Sequence, residues 1–256
     1  MNKILILILF ILMLLIGGKR GFKSFFSLFL NFIILIAIFY LMACGLNPIL
    51  TSIVGCALIS YIVIFMVNGN NLKSKVSLLA VTITLIIMAI IIFYINDTSL
   101  IGGFGPESNE DINMYSYDIA LNMNNLAVAL IILGLIGATI DTAVAISSSL
   151  YEIFENNRNL SFNELYKSGL NVGKDILCTT TNTLLFAFLG EFTTLVIWFS
   201  NCHYSFGDII NAKTFASEFL KLMCSGLGCV IIIPITTILM AYTITKKLHK
   251  NNDNVL

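Results

Sequence analysis

NLAVALIILGLIGATIDTAVAISSS (residues 125–149) is a stretch in which the only ionisable side chain is Asp141. A bilayer core takes roughly 20 residues of helix to cross, so this stretch predicts a membrane span with a carboxyl group near its middle. A charge at that depth costs ~2.5–3.5 kcal/mol on insertion scales unless something holds it. Asp141 is therefore a functional candidate by position alone. Steps of three, four and seven residues from it meet Gly134, Gly137, Ala145, Ser148 and Glu152 on one helical face, with Ile and Leu opposite. Small residues admit a neighbouring helix closely. The stripe thus predicts a packing seam through Gly134, Gly137 and Ala145, with Asp141 enclosed along it.

Outward from this stretch the chain keeps the same character. It is 58 % hydrophobic and 11 % charged, the composition of a protein solvated by lipid. Further spans are predicted near 2–17, 25–44, 49–67, 76–95, 175–199 and 223–245. The fold class is an all-α polytopic membrane helix bundle of seven transmembrane helices, a single domain over 1–256. The first span is the shortest, with an unbroken apolar run only from Ile4 to Ile16. Gly17-Gly18-Lys19-Arg20 follows it, a basic flank rather than a small-x-small cleavage site, so it predicts an uncleaved span.

Lys and Arg set the orientation. With the Lys19–Lys23 loop inside, Lys19, Arg20, Lys23, Lys73, Lys75, Arg158, Lys167, Lys174, Lys246, Lys247 and Lys250 are cytoplasmic. Only Lys3, Lys213 and Lys221 remain outside. The N-terminus is then outside and the C-terminus cytoplasmic. Segment 96–124 becomes an outer, acid-rich loop, with Asp97, Glu107, Glu110, Asp111 and Asp118 and no basic residue. In the cytoplasmic segment 150–174, Ser161 and Glu164 have capping-box spacing and predict a helix start. Segment 200–222 predicts an amphipathic helix in the outer interface. Pro48 predicts a tight outer turn and Pro234 a kink in the last span.

The span at 175–199 offers the complement to Asp141. Asp175, Thr179, Asn182 and Thr193 recur on one face, with Thr183 beside them. Antiparallel neighbours would bring Asp141 against Thr179, Asn182 or Thr183, whose side chains can hydrogen-bond a carboxyl group in either protonation state. Asp141, Ser148, Thr179, Asn182 and Thr183 would form a proton or ion path, with Glu152, Lys174 and Asp175 at its cytoplasmic mouth. Glu191 points away from the Asn182 face and suits an interfacial carboxylate.

Other chemistries find little support. The cysteines Cys44, Cys56, Cys178, Cys202, Cys224 and Cys229 form no C-x-x-C, so neither a disulfide framework nor a zinc site is indicated. Cys202, His203 and Asp208 are a weak metal pattern, and no cofactor is expected. An aspartyl protease would need a second acid near Asp141. A serine protease of the rhomboid kind would need a histidine within a span, whereas His203 and His249 lie outside. The expectation is that the protein is not an enzyme. A formal net charge of zero and no arginine-rich stretch argue against nucleic acid.

GLIGATIDTAVAISSSLYEI (134–153), SGLNVGKDILCTTTNTLLFAFLG (168–190) and IIIPITTILMAY (231–242) strongly resemble the YibE/F family of bacterial multi-pass membrane proteins. That resemblance implies a location in the bacterial plasma membrane. It also implies a partner, either a second YibE/F-type membrane protein carrying an extracytoplasmic domain or another copy in a homo-oligomer. The order of Asp141, Glu152, Ser168-Gly169 and the Thr-rich 175–190 is more distantly similar to RND-type permeases and the SecD/SecF export proteins, where an intramembrane aspartate takes part in proton-coupled work. The YibE/F resemblance supplies no settled activity; the carboxyl group on its small-residue seam, with the more distant similarity, gives the expectation of a proton- or ion-coupled transporter or the membrane subunit of a transport or export complex. The competing expectation is a non-transporting scaffold that docks its partner through the Gly134–Ser148 seam.

Overall fold

The computed structural model describes residues 2–99 and 122–253. Most of the predicted outer loop, with its Gly102-Gly103 and Gly105-Pro106 turns, lies outside the described residues. The chain runs α1 (Asn2–Ala43), α2 (Pro48–Asn68), α3 (Leu72–Ser99), α4 (Met123–Asn156), α5 (Phe162–Asn201), α6 (Phe206–Asn211) and α7 (Lys213–Asp253), with no strand among the described residues. All but α6 are long and apolar enough to cross a membrane, giving 6 such helices where the sequence suggested seven.

The difference lies in α1, which contains both of the first two expected spans. It is broken at Gly18, whose φ of 52° and ψ of −129° leave the helical region and suit a residue without a Cβ. Phe10 lies 6.2 Å from Phe22 and 4.8 Å from Phe25, ring centre to ring centre. A straight helix would separate positions twelve apart by roughly 18 Å. The two arms therefore fold back on one another. Gly21 allows this, because a Cβ there would overlap the backbone carbonyl of Met13.

Local signals set the other helix starts. Asn47 caps α2, accepting a hydrogen bond from the Ile49 N–H, and Pro48 occupies the first turn, where its missing donor costs nothing. Asn122 caps α4. The Ser161–Glu164 capping box opens α5, which then continues without interruption through the expected span. The expected interfacial helix shrinks to α6, and α7 carries on through Pro234.

The bundle is built around α4, which packs against α2, α3, α5 and α7. Its buried face comprises Val128, Ile132, Leu135, Thr139, Ala143, Ile146 and Leu150, among others. The α4–α7 contact is close because Gly228 of α7 faces the Thr139 methyl. On one edge α1 leans on α2; on the other α5 leans on α7 and α4.

Candidate functional site

Asp141 sits near the middle of α4 and is exposed at the surface of that helix rather than packed into its core face. It opens, with Val144, Ala145 and Ser148, onto a cleft of about 480 Å³. The far walls are Ser24, Ser27, Leu28 and Asn31 of α1, and Val63, Val67 and Asn68 of α2. A second cavity of about 190 Å³ shares Asn68, Val144 and Ser148 with the first. It continues past Ser74, Ser77 and Ser147 to Glu152, Arg20, Asn71 and Lys73. The two cavities line up Glu152, Ser148 and Asp141 along one side of α4, as their spacing predicted.

The polar atoms of this system are unevenly satisfied. Ser77 and Ser147 bond each other at 2.6 Å, and Ser77 also donates toward the Lys73 and Ala143 carbonyls. By contrast, Ser27 Oγ, Asn31 Oδ1 and Ser74 Oγ are buried and have no hydrogen-bond partner among the described residues. Leaving such a group unpaired costs about 1–3 kcal/mol. Buried polar atoms beside a cavity are satisfied by water or a bound ion. Lys73 lies over the Tyr151 ring at 5.2 Å. Among the described residues neither Arg20 nor Glu152 has an ion-pair partner.

The expected neighbour of Asp141 is not the one the fold supplies. Thr179, Asn182 and Thr183 are exposed on α5 and line neither cavity. Their hydroxyls turn back to their own helix: Thr179 bonds the Ile176 carbonyl at 2.9 Å and Thr183 the Thr179 carbonyl at 3.0 Å. The reason is the packing of Gly169 and Gly173. A Cβ on Gly169 would strike Thr237 and Leu150, and one on Gly173 would strike Ile233. That face of α5 is pressed onto α7 and α4, and Asn182, about two and a half turns beyond Gly173, points the opposite way.

Lys174 and Asp175 are likewise exposed and stand apart from Glu152's cavity; Lys174 instead borders an apolar cleft between α5 and α7. The expected seam also changes. Gly134 and Gly137 are exposed, and a Cβ on either would meet nothing within 4 Å, so none of the described elements packs there. Ala145 borders the Asp141 cleft. The buried contacts of α4 were taken instead by its Ile, Leu and Thr face.

Ser24, Ser27, Asn31 and Asn68 are the site residues that sequence reasoning missed. Ser24, Ser27 and Asn31 are three and four residues apart, the same helical stepping that marked α4. Asn31 interrupts an apolar run as Asp141 does. Among the described residues no three His, Cys, Asp or Glu side chains gather to hold a metal ion.

A helix bundle in which residues of 134–153 carry a carboxyl group and serines onto a cleft, and Gly169 and Gly173 set the packing of α5, accounts for the motifs of residues 134–190. The family model for YibE/F-like proteins matches residues 5–246. The chain belongs to that family. No curated protein and no solved structure matches it, and the distant similarity to RND and SecD/SecF proteins gains no support. With its apolar helices, this YibE/F-like protein is an integral membrane protein.

Proposed function

We propose that this YibE/F-like protein couples proton or ion movement to transport across the bacterial plasma membrane, alone or as the membrane subunit of a transport complex. Asp141 is the titrating group. One observation carries this: two cavities that share Asn68, Val144 and Ser148 in their linings extend from Glu152 and Arg20 to Asp141, and the larger also borders Ser27 and Asn31, whose buried oxygens have no partner among the described residues. A carboxyl group at span depth on a hydratable path is suited to taking up and releasing a cation. In the same proposal the two arms of α1 count as separate spans, making seven, and the lysine- and arginine-rich end faces the cytoplasm. Ser24 and Asn68 take the places first given to Thr179, Asn182 and Thr183. The chain has no catalytic role.

The test is proton uptake into liposomes holding the protein with whatever membrane partner co-purifies, read with an internal pH dye. Wild type is expected to acidify the lumen faster than protein-free liposomes. Asp141→Asn is expected to fall to the protein-free rate while remaining folded and assembled. Equal uptake by wild type and Asp141→Asn would remove the proposal.

A second function has one observation in its favour. The open space at Gly134 and Gly137 leaves a small-residue strip on which another helix can sit. A scaffold would bind its partner there, a second YibE/F-type protein or another copy of this chain. Gly137→Leu should then abolish co-purification of the partner, whereas Asp141→Asn should leave it intact. Retention of the partner by Gly137→Leu would exclude this surface.

A further inference from the structure

The smaller cavity also holds groups to which the cation path gives no role, Lys73 and Ser74 at the start of α3. Its floor is the start of α3, which runs from Leu72 to Ser99, so the unbonded N–H groups of the first turn lie beside Lys73 and Ser74. The Asn71 side chain does not cap them; its amide donates to the Asn68 carbonyl at 3.1 Å. Ser74 is 2 % exposed, borders the cavity, and its Oγ has no hydrogen-bond partner among the described residues. Arg20 reaches the same cavity from the turn of α1.

We propose that this cavity binds a singly charged oxyanion of the phosphate type, held by Arg20, Lys73, Ser74 and the N-terminus of α3. A helix N-terminus favours an anion through its free N–H groups and dipole, and the guanidinium of Arg20 adds a fork matched to paired oxygens. Ser74 Oγ–H gains the acceptor it lacks. The charge balance selects the ligand: Arg20 and Lys73 against Glu152 leave one positive charge, which a monoanion neutralises. A phosphodiester headgroup of an anionic lipid and free phosphate share this chemistry. The site lies at the Glu152 end of the path proposed for Asp141 and does not include that carboxyl group, and neither proposal requires the other.

The experiment uses the full chain in neutral detergent. Inorganic phosphate, against chloride at matched ionic strength, is expected to raise the thermal unfolding midpoint of wild type. Arg20→Gln should weaken that binding about tenfold or more, the loss expected of a charge-assisted contact. In a second arm the protein is extracted from vesicles of phosphatidylcholine and phosphatidylglycerol and weighed by native mass spectrometry. One phosphatidylglycerol retained by wild type and lost in Arg20→Gln, without a response to phosphate, identifies a lipid headgroup as the source. A phosphate response without retained lipid identifies the free ion. If Arg20→Gln does not fold, Ser74→Ala replaces it, with a few-fold weakening expected. Asp141→Asn should bind as wild type does. No binding in either arm, or binding indifferent to the substitution used, overturns the proposal.

Discussion

Helices α1 and α5 stand at opposite edges of the bundle, and both carry a polar stripe through an apolar span. They use it in opposite ways. The stripe of α1, Ser24, Ser27 and Asn31, turns inward over Asp141 and leaves two buried oxygens without partners. The stripe of α5, Thr179, Asn182 and Thr183, turns outward, and its hydroxyls are satisfied by carbonyls of their own helix. A threonine can satisfy itself on a helix in this way, whereas Asn31 Oδ1 cannot, because an acceptor needs a donor and the helix interior offers none. Polar residues in a membrane helix therefore differ by whether they can be served locally. In α1 the oxygens left unserved among the described residues, Ser27 Oγ and Asn31 Oδ1, are those beside the Asp141 cleft.

That contrast can be broken most decisively by exchanging one asparagine on each edge. Asn31→Leu should fill the cleft with apolar volume and reduce proton uptake about tenfold or more, in the range of a lost binding or relay contact. Asn182→Leu should leave uptake of the same preparation within about twofold. The reverse result would return the path to α5. A smaller effect sharpens the packing side of the argument. Gly173→Leu meets Ile233 and should destabilise the fold by about 1–3 kcal/mol or more, as overpacking does. Gly137→Leu enters open space and should stay within about 0.5 kcal/mol in unfolding experiments on the isolated chain.

The smallest effect concerns the turn after α5. Hydrogen bonds from Ser205 Oγ and N–H, at 2.6 and 2.9 Å, hold the Asp208 carboxyl below its usual range. A depressed carboxyl stabilises the turn at pH above the ordinary aspartate value of about 3.9 and loses that contribution as pH falls through the lowered value. Trp198, 5.4 Å from Tyr204, is the chain's one tryptophan and reports on the turn. Its fluorescence should change below about pH 4 in wild type and remain flat in Asp208→Asn.

What could be seen in the sequence follows from the range of each signal. The apolar runs, the Ser161–Glu164 box and the Asn47-Pro48 start act within a few residues, so the helices formed where their caps stand. The α4 stripe was also legible, down to Glu152, Ser148 and Asp141 on one side. Its neighbour was not. A stripe states that a helix has a distinctive face, yet without a hydrophobic drive between lipid-solvated helices it does not name the helix that meets it. Close approach decided that, and its signal was the Gly169–Gly173 pair inside the quoted motif. Shape there outweighed the matching polarity of Thr179 and Asn182. The reversal between the first two expected spans was legible; that it is a break within one helix rather than a loop was not, because a single positive-φ glycine, Gly18, sets it.

The cleft beneath Asp141 also bears on voltage. In the proposed path, a chamber hydrated from the Glu152 end carries the electrical potential of that compartment inward to the middle of α4. The membrane field is then confined to the span from Met123 to Ile140, roughly 27 Å at 1.5 Å per residue. A cation leaving Asp141 toward the opposite side traverses nearly all of it, worth about 2.3 kcal/mol per elementary charge at 100 mV. One leaving toward Glu152 traverses almost none. On that proposal, the asymmetry makes the carboxyl group a place where a resting potential biases occupancy in one direction.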